Sequence, residues 1–194
     1  PSIPLKKSPT PPAADLAPDF AAYAIGSNLA GPVATLIGGP AKERSAPIIR
    51  RENIKINEDS HIELINHNHT EELFLLVDKN REYLREWLPW VDFNKQVSDT
   101  KKFVQDSIEN FQGNKSFQSV IIYKNQIVGC IGLHDIDWEE ESSKIGYWIA
   151  KDFQGKGLTS KATQIVLNYS FNELKLKNIQ IRCAVENKKS RAIP

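Results

Sequence analysis

The sequence predicts an α/β fold, helices packed on a mixed β-sheet, and three observations predict it. From Asn53 onward the apolar residues switch repeatedly between the helical period and the strand period of two. A strand-like run (Lys144 to Ala150) enters a long helix-like run through Gln154-Gly155-Lys156-Gly157-Leu158-Thr159, and another strand follows, a β-α-β order. At 194 residues with 40% hydrophobic content and four tryptophans, the chain can bury a core of its own.

Composition divides the chain in two. Residues 1–50 are rich in Pro, Ala and Gly (SPTPPAADLAP, GGPAKERSAP) and read as an appended or linker segment, with no strands that would complete a sheet. Phe20 to Ala41 carries no charge, but Pro32 and four glycines interrupt it, so a membrane span is not expected. The chain starts at Pro1 and contains no Met, as if something had been trimmed or built. Residues 51–194 read as the folded domain.

Within that domain, Ile54, Ile56, Ile62 and Leu64 alternate around a turn and predict a short hairpin. Thr70 is the expected N-cap of a helix, with Glu71 and Glu72 favourably placed in its first turn and Leu73, Leu76 and Val77 on its apolar stripe. Arg81 to Trp90 continues helically as far as Pro89. A third helix starts at Ser98 and buries Phe103, Val104, Ile108 and Phe111. FQSVIIYKNQIVGCIGLHDID reads as an antiparallel hairpin turning at Lys124-Asn125. After the strand at Lys144 to Ala150 come the glycine loop, a helix from Ser160 to Leu174 and a last strand, Asn178 to Val185.

The loop carries the chemistry. Glycines at 155 and 157 let the backbone approach an anion closely, and the unpaired N–H groups of the following helix point at it with the positive end of the helix dipole behind them. A phosphate-bearing ligand is implied, although such a loop also serves simply to join a strand to a helix.

The run REYLREWLPW, then IGLHDID, IGYWIAKDFQGKGLTSKA and AVENKKSRAIP, in this order and spacing, resembles the GNAT-type N-acetyltransferases of the RimJ/RimL kind, which acetylate protein N-termini. The resemblance covers Ile54 to Pro194. It implies a GNAT-like fold that is C-terminally incomplete, because the family continues with a helix and two strands; it also implies acetyl-CoA as cosubstrate. The strand at Ile145 to Ile149 would splay from its neighbour so that Trp148 and Ile149 bind the pantetheine arm. Gln154, Gly155, Lys156, Gly157, Leu158 and Thr159 would hold the pyrophosphate, with Thr159 departing from the family's usual Gly or Ala. Asn187 would bond the pantetheine, and Ser190 would sit near the sulfur; locally, the same two residues could instead end a strand and cap a helix. The last strand would leave a bare edge open to pairing with a second copy.

The implied reaction is direct attack of an amine on the thioester, which needs a neutral nitrogen and a donor for the developing oxyanion. Main-chain amides of Trp148 or Ile149 are candidate donors. Relatives often carry Glu where this chain has Lys144, so the base is open among His134, Glu141 and Glu140. His134 suits proton shuttling by its ordinary pKa but also reads as a structural histidine. Glu139-Glu140-Glu141 reads most simply as a solvated turn. A protein N-terminus or a small amine is the expected acceptor, in a cytoplasmic setting. A CoA-binding but inactive module and a nucleotide-binding protein are the alternatives; the absence of Gly-Lys-Ser/Thr argues against the second.

A formal charge of +1, from 25 basic and 24 acidic residues without a basic stripe, excludes a polyanion-binding surface such as one for nucleic acid. Cys130 and Cys183 lie in apolar runs and read as buried thiols. His61, His67 and His69 lack partners at ligand spacing, so no metal is expected. Trp87 and Trp90 read as core or lid.

Overall fold

The computed structural model describes residues 53–194, side chains included, and the backbone of residues 33–37. Its strands are β1 (Val33–Ile37), β2 (Ile54–Asn57), β3 (Ser60–Leu64), β4 (Phe117–Tyr123), β5 (Gln126–Asp137), β6 (Ser142–Ile149) and β7 (Asn178–Arg182). They form a seven-stranded sheet in the order β1-β7-β6-β5-β4-β3-β2. All neighbours are antiparallel except β6 and β7, which run parallel. The helices are α1 (Thr70–Lys79), α2 (Arg81–Arg85), α3 (Val97–Gln112), α4 (Leu158–Asn172) and α5 (Lys188–Arg191).

Alternation along β5 sorts the core into two layers. Ile131 and Leu133 join Ile121, Ile145, Leu158, Ala162, Val166 and Ile179 under α4. Cys130 faces the other way, with Val120, Leu73, Val77, Trp90, Phe103 and Val104, against α1 and α3. The sheet is thus covered on both faces, with α4 on one and α1 and α3 on the other.

The turns follow their residues. Lys124 (φ 50°) and Asn125 (φ 62°) are both left-handed, as a tight two-residue hairpin with the twist of its strands requires. Glu139 and Glu140 donate their N–H groups to Asp137 Oδ1 (2.9 Å each), so the acidic run is an exposed turn held by its own aspartate.

Three expectations are corrected. Thr70 is not a cap: it is the first residue of α1, and its hydroxyl donates to the His67 carbonyl (2.8 Å). The capping side chain belongs to Asn66, at the start of a 3₁₀ turn (His67–His69) that leads into α1: it accepts from the Asn68 N–H (2.9 Å) while the Asn66 N–H donates to His69 Nδ1 (3.2 Å). The third helix begins one residue early, at Val97, where the Asp99 carboxylate accepts from the Gln96 N–H (3.0 Å).

The third correction concerns the segment read as strandless. Val33–Ile37 is a strand, paired antiparallel with β7 from Val33↔Arg182 to Ile37↔Asn178, so the edge expected to be bare is covered. The physical reason lies in the run itself. VATLI is mostly β-branched and aliphatic and is bounded by Gly31-Pro32 and Gly38-Gly39, which is strand chemistry within a loop-like composition. The rest of residues 1–50 lies outside the described residues. Among the described residues no helix is long and apolar enough to cross a membrane.

Candidate active site

The site starts where two parallel strands part. β6 and β7 are in register from Ser142↔Asn178 only to Ile145↔Ile181, yet β6 runs on to Ile149, held on its other side by β5 as far as Gly129↔Ile149. The ladder settles which main-chain groups this exposes. Ala150 donates its N–H to the Val128 carbonyl (2.8 Å), so residues of the same parity, Trp148 and Gly146, direct their polar groups to β5. Glu141, of opposite parity, accepts from the Lys177 N–H (2.6 Å) on the β7 side. By the same alternation Tyr147 and Ile149 present N–H and C=O to the gap that β7 has vacated. Ile149 is therefore where the resemblance puts it; Trp148 lines the gap by its side chain, and the main-chain partner that sequence reasoning missed is Tyr147.

Below the gap lies the glycine loop. Gly155 (φ 72°) and Gly157 (φ 71°) are both left-handed, and Gly157 is the residue from which α4 springs. No side chain caps α4 and no acidic residue sits in its first turn. Its leading N–H donors, on Leu158, Thr159 and Ser160, are therefore left for a ligand, with the dipole of a 15-residue helix behind them. A Cβ built on either glycine would meet nothing within 4 Å, so the loop faces open space.

These parts line one groove of about 680 Å³, closed by Tyr83, Leu84, Trp87 and Leu88 on one side and by Asn187, Lys189 and Ser190 on the other. Among the described residues no carboxylate side chain lines it. An apolar channel beside a splayed strand, ending at uncapped helix N–H donors, suits a long amide-bearing arm that ends in phosphates, and so fits acetyl-CoA.

Several expected residues come together here. Ser190 and Tyr147 oppose each other across the groove: the Tyr147 hydroxyl donates to the Ser190 carbonyl (3.1 Å) and lies 3.4 Å from Ser190 Oγ. Burial pushes the Tyr147 pKa up to about 12, so its phenol keeps its proton. Asn187 lines the groove as well, but its Oδ1 accepts from the Ser190 N–H (3.0 Å) and caps α5, the local role that the sequence had suggested for Ser190. Gln154 spans the groove mouth, its amide nitrogen on the Tyr83 hydroxyl and its oxygen accepting from Lys189 Nζ (2.8 Å). Lys156 is exposed and does not line the groove; the charge there is that of Lys189, which the sequence reading did not single out.

The three candidate bases are not in the groove. Glu141 (φ 49°) belongs to the β5–β6 turn, paired with Lys177, and Glu140 is exposed beside it. His134 is 5% exposed on the α3 side of the sheet. Gln118 Nε2 donates to its Nδ1 (2.5 Å), which places the ring proton of the neutral form on Nε2; that nitrogen faces Gly146, where an added Cβ would sit 2.8 Å away. His134, Gln118 and Asn94 share a cavity of about 30 Å³ with Tyr147 and Trp148, room for about one water. Trp90, tilted at 55° against Trp148 with ring centroids 6.2 Å apart, is core, while Trp87 stands at the groove. Cys130 is buried and Cys183 half-buried, both free. Among the described residues no histidine, cysteine or carboxylate cluster could hold a metal.

Burial lowers the His134 pKa from 6.5 to about 4, Asp135 opposing this and Lys144 adding to it. The unfolded chain then protonates first. The contribution is complete above about pH 6.5 and is lost as pH falls toward 4; at pH 5 a shift of this size costs about 2 kcal/mol. His134→Gln is expected to narrow the gap between melting temperatures at pH 7.5 and pH 5 by about 4–8 °C. An unchanged gap would mean that the histidine is not held neutral.

Comparison with known proteins agrees with this geometry. Residues 61–194 match the acetyltransferase (GNAT) domain. The chain is 34% identical over 142 residues to the putative ribosomal N-acetyltransferase YdaF of Bacillus subtilis, covering 72% of this chain and 77% of the relative. Among solved structures, it resembles the microcin C7 self-immunity acetyltransferase MccE in complex with acetyl-CoA and AMP (TM-score 0.68, 31% identity, covering 72% of this chain and 78% of that one). It also resembles RimL, a ribosomal L7/L12 α-N-protein acetyltransferase, in complex with coenzyme A (TM-score 0.71, 26% identity, covering 73% and 80%). The splayed strand, the phosphate loop and the family match converge: the chain belongs to the GNAT acetyltransferase family and is an acetyl-CoA-dependent N-acetyltransferase.

Proposed function

We propose that this enzyme acetylates the α-amine of protein N-termini. One observation carries the choice of acceptor: among the described residues no Asp or Glu lines the groove or the two small cavities that adjoin Gly146 and Tyr147. An α-amine, pKa near 7.7 to 8.0, is about a quarter to two-fifths neutral at pH 7.5, whereas a lysine near 10.4 is neutral in about one molecule per thousand. A site without a carboxylate base therefore favours the first by roughly two orders of magnitude. The names of YdaF and RimL support the same class of acceptor.

In this reading bound acetyl-CoA supplies an activated acetyl thioester, and the protein supplies position, donors and a dry wall. The α4 N–H groups and the glycine loop hold the phosphates; the Tyr147 and Ile149 main chain aligns the arm. Tyr147 N–H or Ile149 N–H faces the position where the oxyanion develops. The hydroxyls of Ser190 and Tyr147 are the neutral donors for the departing thiolate. His134, with its ring proton directed at Gly146, is a hydrogen-bonding residue behind β6 rather than the group that deprotonates the amine.

Free-thiol release should be seen with acetyl-CoA and a peptide bearing a free N-terminus, and not with the same peptide blocked at the N-terminus and carrying a lysine. Equal rates on the blocked peptide, or on a polyamine, would reject the α-amine reading. Tyr147→Phe is expected to lower kcat by about a hundredfold and Ser190→Ala by about tenfold, at unchanged affinity for acetyl-CoA. Loss of binding instead of turnover would make both residues structural.

A further inference from the structure

Lys189 is the one charged residue among those lining the groove, and it makes no ion pair among the described residues. Its position is built. Asn187 starts α5, the short helix lays Lys189 toward the loop, and Nζ donates to the Gln154 side-chain oxygen at 2.8 Å. Gln154 is itself tied to Tyr83 through its amide nitrogen. A chain of contacts, Tyr83 to Gln154 to Lys189, thus crosses the groove beside the left-handed glycines and the uncapped start of α4.

A neutral amide oxygen is a weaker partner for an ammonium than a phosphate oxygen, because only the phosphate adds the attraction of an opposite charge. The lysines nearest in sequence, Lys156 and Lys188, are absent from the groove wall, whereas Lys189, exposed like them, lines it. The loop's own donors are main-chain amides and carry no formal charge. Among the described residues the groove beside the loop thus has one cation in its wall, held on a residue of the loop itself.

We propose that Lys189 is the counter-charge for the pyrophosphate of the cosubstrate, exchanging the Gln154 oxygen for a phosphate oxygen when the groove fills. Gln154 is then a positioning residue that keeps the ammonium at the loop and so reduces the ordering cost of binding. This rests on the acetyl-CoA reading but not on the acceptor, since it concerns binding alone.

The test is calorimetric titration with three ligands: acetyl-CoA, acetyl-dephospho-CoA, which lacks the 3′-phosphate, and acetylpantetheine, which lacks both the pyrophosphate and the 3′-phosphate. Lys189→Gln is expected to raise Kd about tenfold for the first two, leave acetylpantetheine unchanged, and flatten the salt dependence between 50 and 300 mM. Lys189→Arg should restore most of the affinity, and Gln154→Ala should cost about threefold. Three results would overturn the proposal: wild-type affinity in Lys189→Gln, a loss confined to acetyl-CoA (which would assign the lysine to the 3′-phosphate), or an equal loss with acetylpantetheine. Gly157→Glu separates the failures. If it abolishes binding while Lys189→Gln does not, the cosubstrate site stands and only the role of Lys189 falls.

Discussion

Gly157→Glu is expected to weaken acetyl-CoA binding at least a hundredfold while leaving the fold intact. Gly157 adopts φ 71° at the start of α4, a conformation that costs a residue with a Cβ about 1 kcal/mol. An added Cβ meets nothing within 4 Å, so no clash transmits the change to the core. The carboxylate, however, would stand where phosphates approach the α4 N–H donors. Two like charges about 4 Å apart at a protein surface repel by roughly 4 kcal/mol, less whatever salt screens. Gly157→Ala isolates the backbone part and should cost about fivefold. Calorimetric titration of both variants, with thermal melts as a folding control, decides the matter. A Gly157→Glu protein that binds acetyl-CoA within threefold of wild type would mean that the loop is a connector and the phosphates lie elsewhere.

Gly129→Ala is expected to do the reverse, destabilising the fold without placing a group in the groove. A Cβ at Gly129 would sit 2.2 Å from the Trp148 carbonyl oxygen and 2.9 Å from Ile149 Cα, both main-chain atoms of the paired strand. Neither can move without parting β5 from β6 where they are in register at Gly129↔Ile149. The cost should reach about 3 kcal/mol, or a fall in melting temperature of roughly 6–12 °C for a chain of this size. Gly155→Ala is the control: it carries φ 72° but has open space around its Cβ, so it should lose only about 1 kcal/mol. Equal melting temperatures for Gly129→Ala and the parent would put the β5–β6 register in error. The result bears on function because this stretch of β6 lines the groove in which the cosubstrate arm is proposed to lie.

How much was legible depended on whether a feature was local. The order of helices and strands from Ile54 onward follows from apolar period and turn chemistry, and the Lys124-Asn125 hairpin and the glycine loop follow from residues whose backbone preferences are strong. The Thr70 cap was misread because Asn66, four residues earlier, offers a better acceptor and pulls the helix start behind a short 3₁₀ turn. The strand at Val33–Ile37 was hidden because a strand's stability comes from its neighbour, and that neighbour, β7, lies far along the chain.

The site divides in the same way. Alternation in β6 could have been read from the sequence, but which parity faces the vacated side depends on the ladder to β5, and so Tyr147 rather than Trp148 turns its main chain to the groove. His134 was chosen as a base for its ordinary pKa; burial against Gln118 and Gly146 removes that property. Between the two loop-side lysines, sequence proximity favoured Lys156, whereas α5 brings Lys189 from 35 residues beyond Gln154.

By itself, then, the sequence determined the α/β class, the element order and the left-handed glycine loop before α4, since each rests on short-range backbone preference. The tertiary structure alone decided where β6 and β7 part, which main-chain groups and which cation face the groove, and which ionisable side chain is kept neutral. These depend on strand register, burial and the approach of residues distant in sequence, and all three are properties of packing.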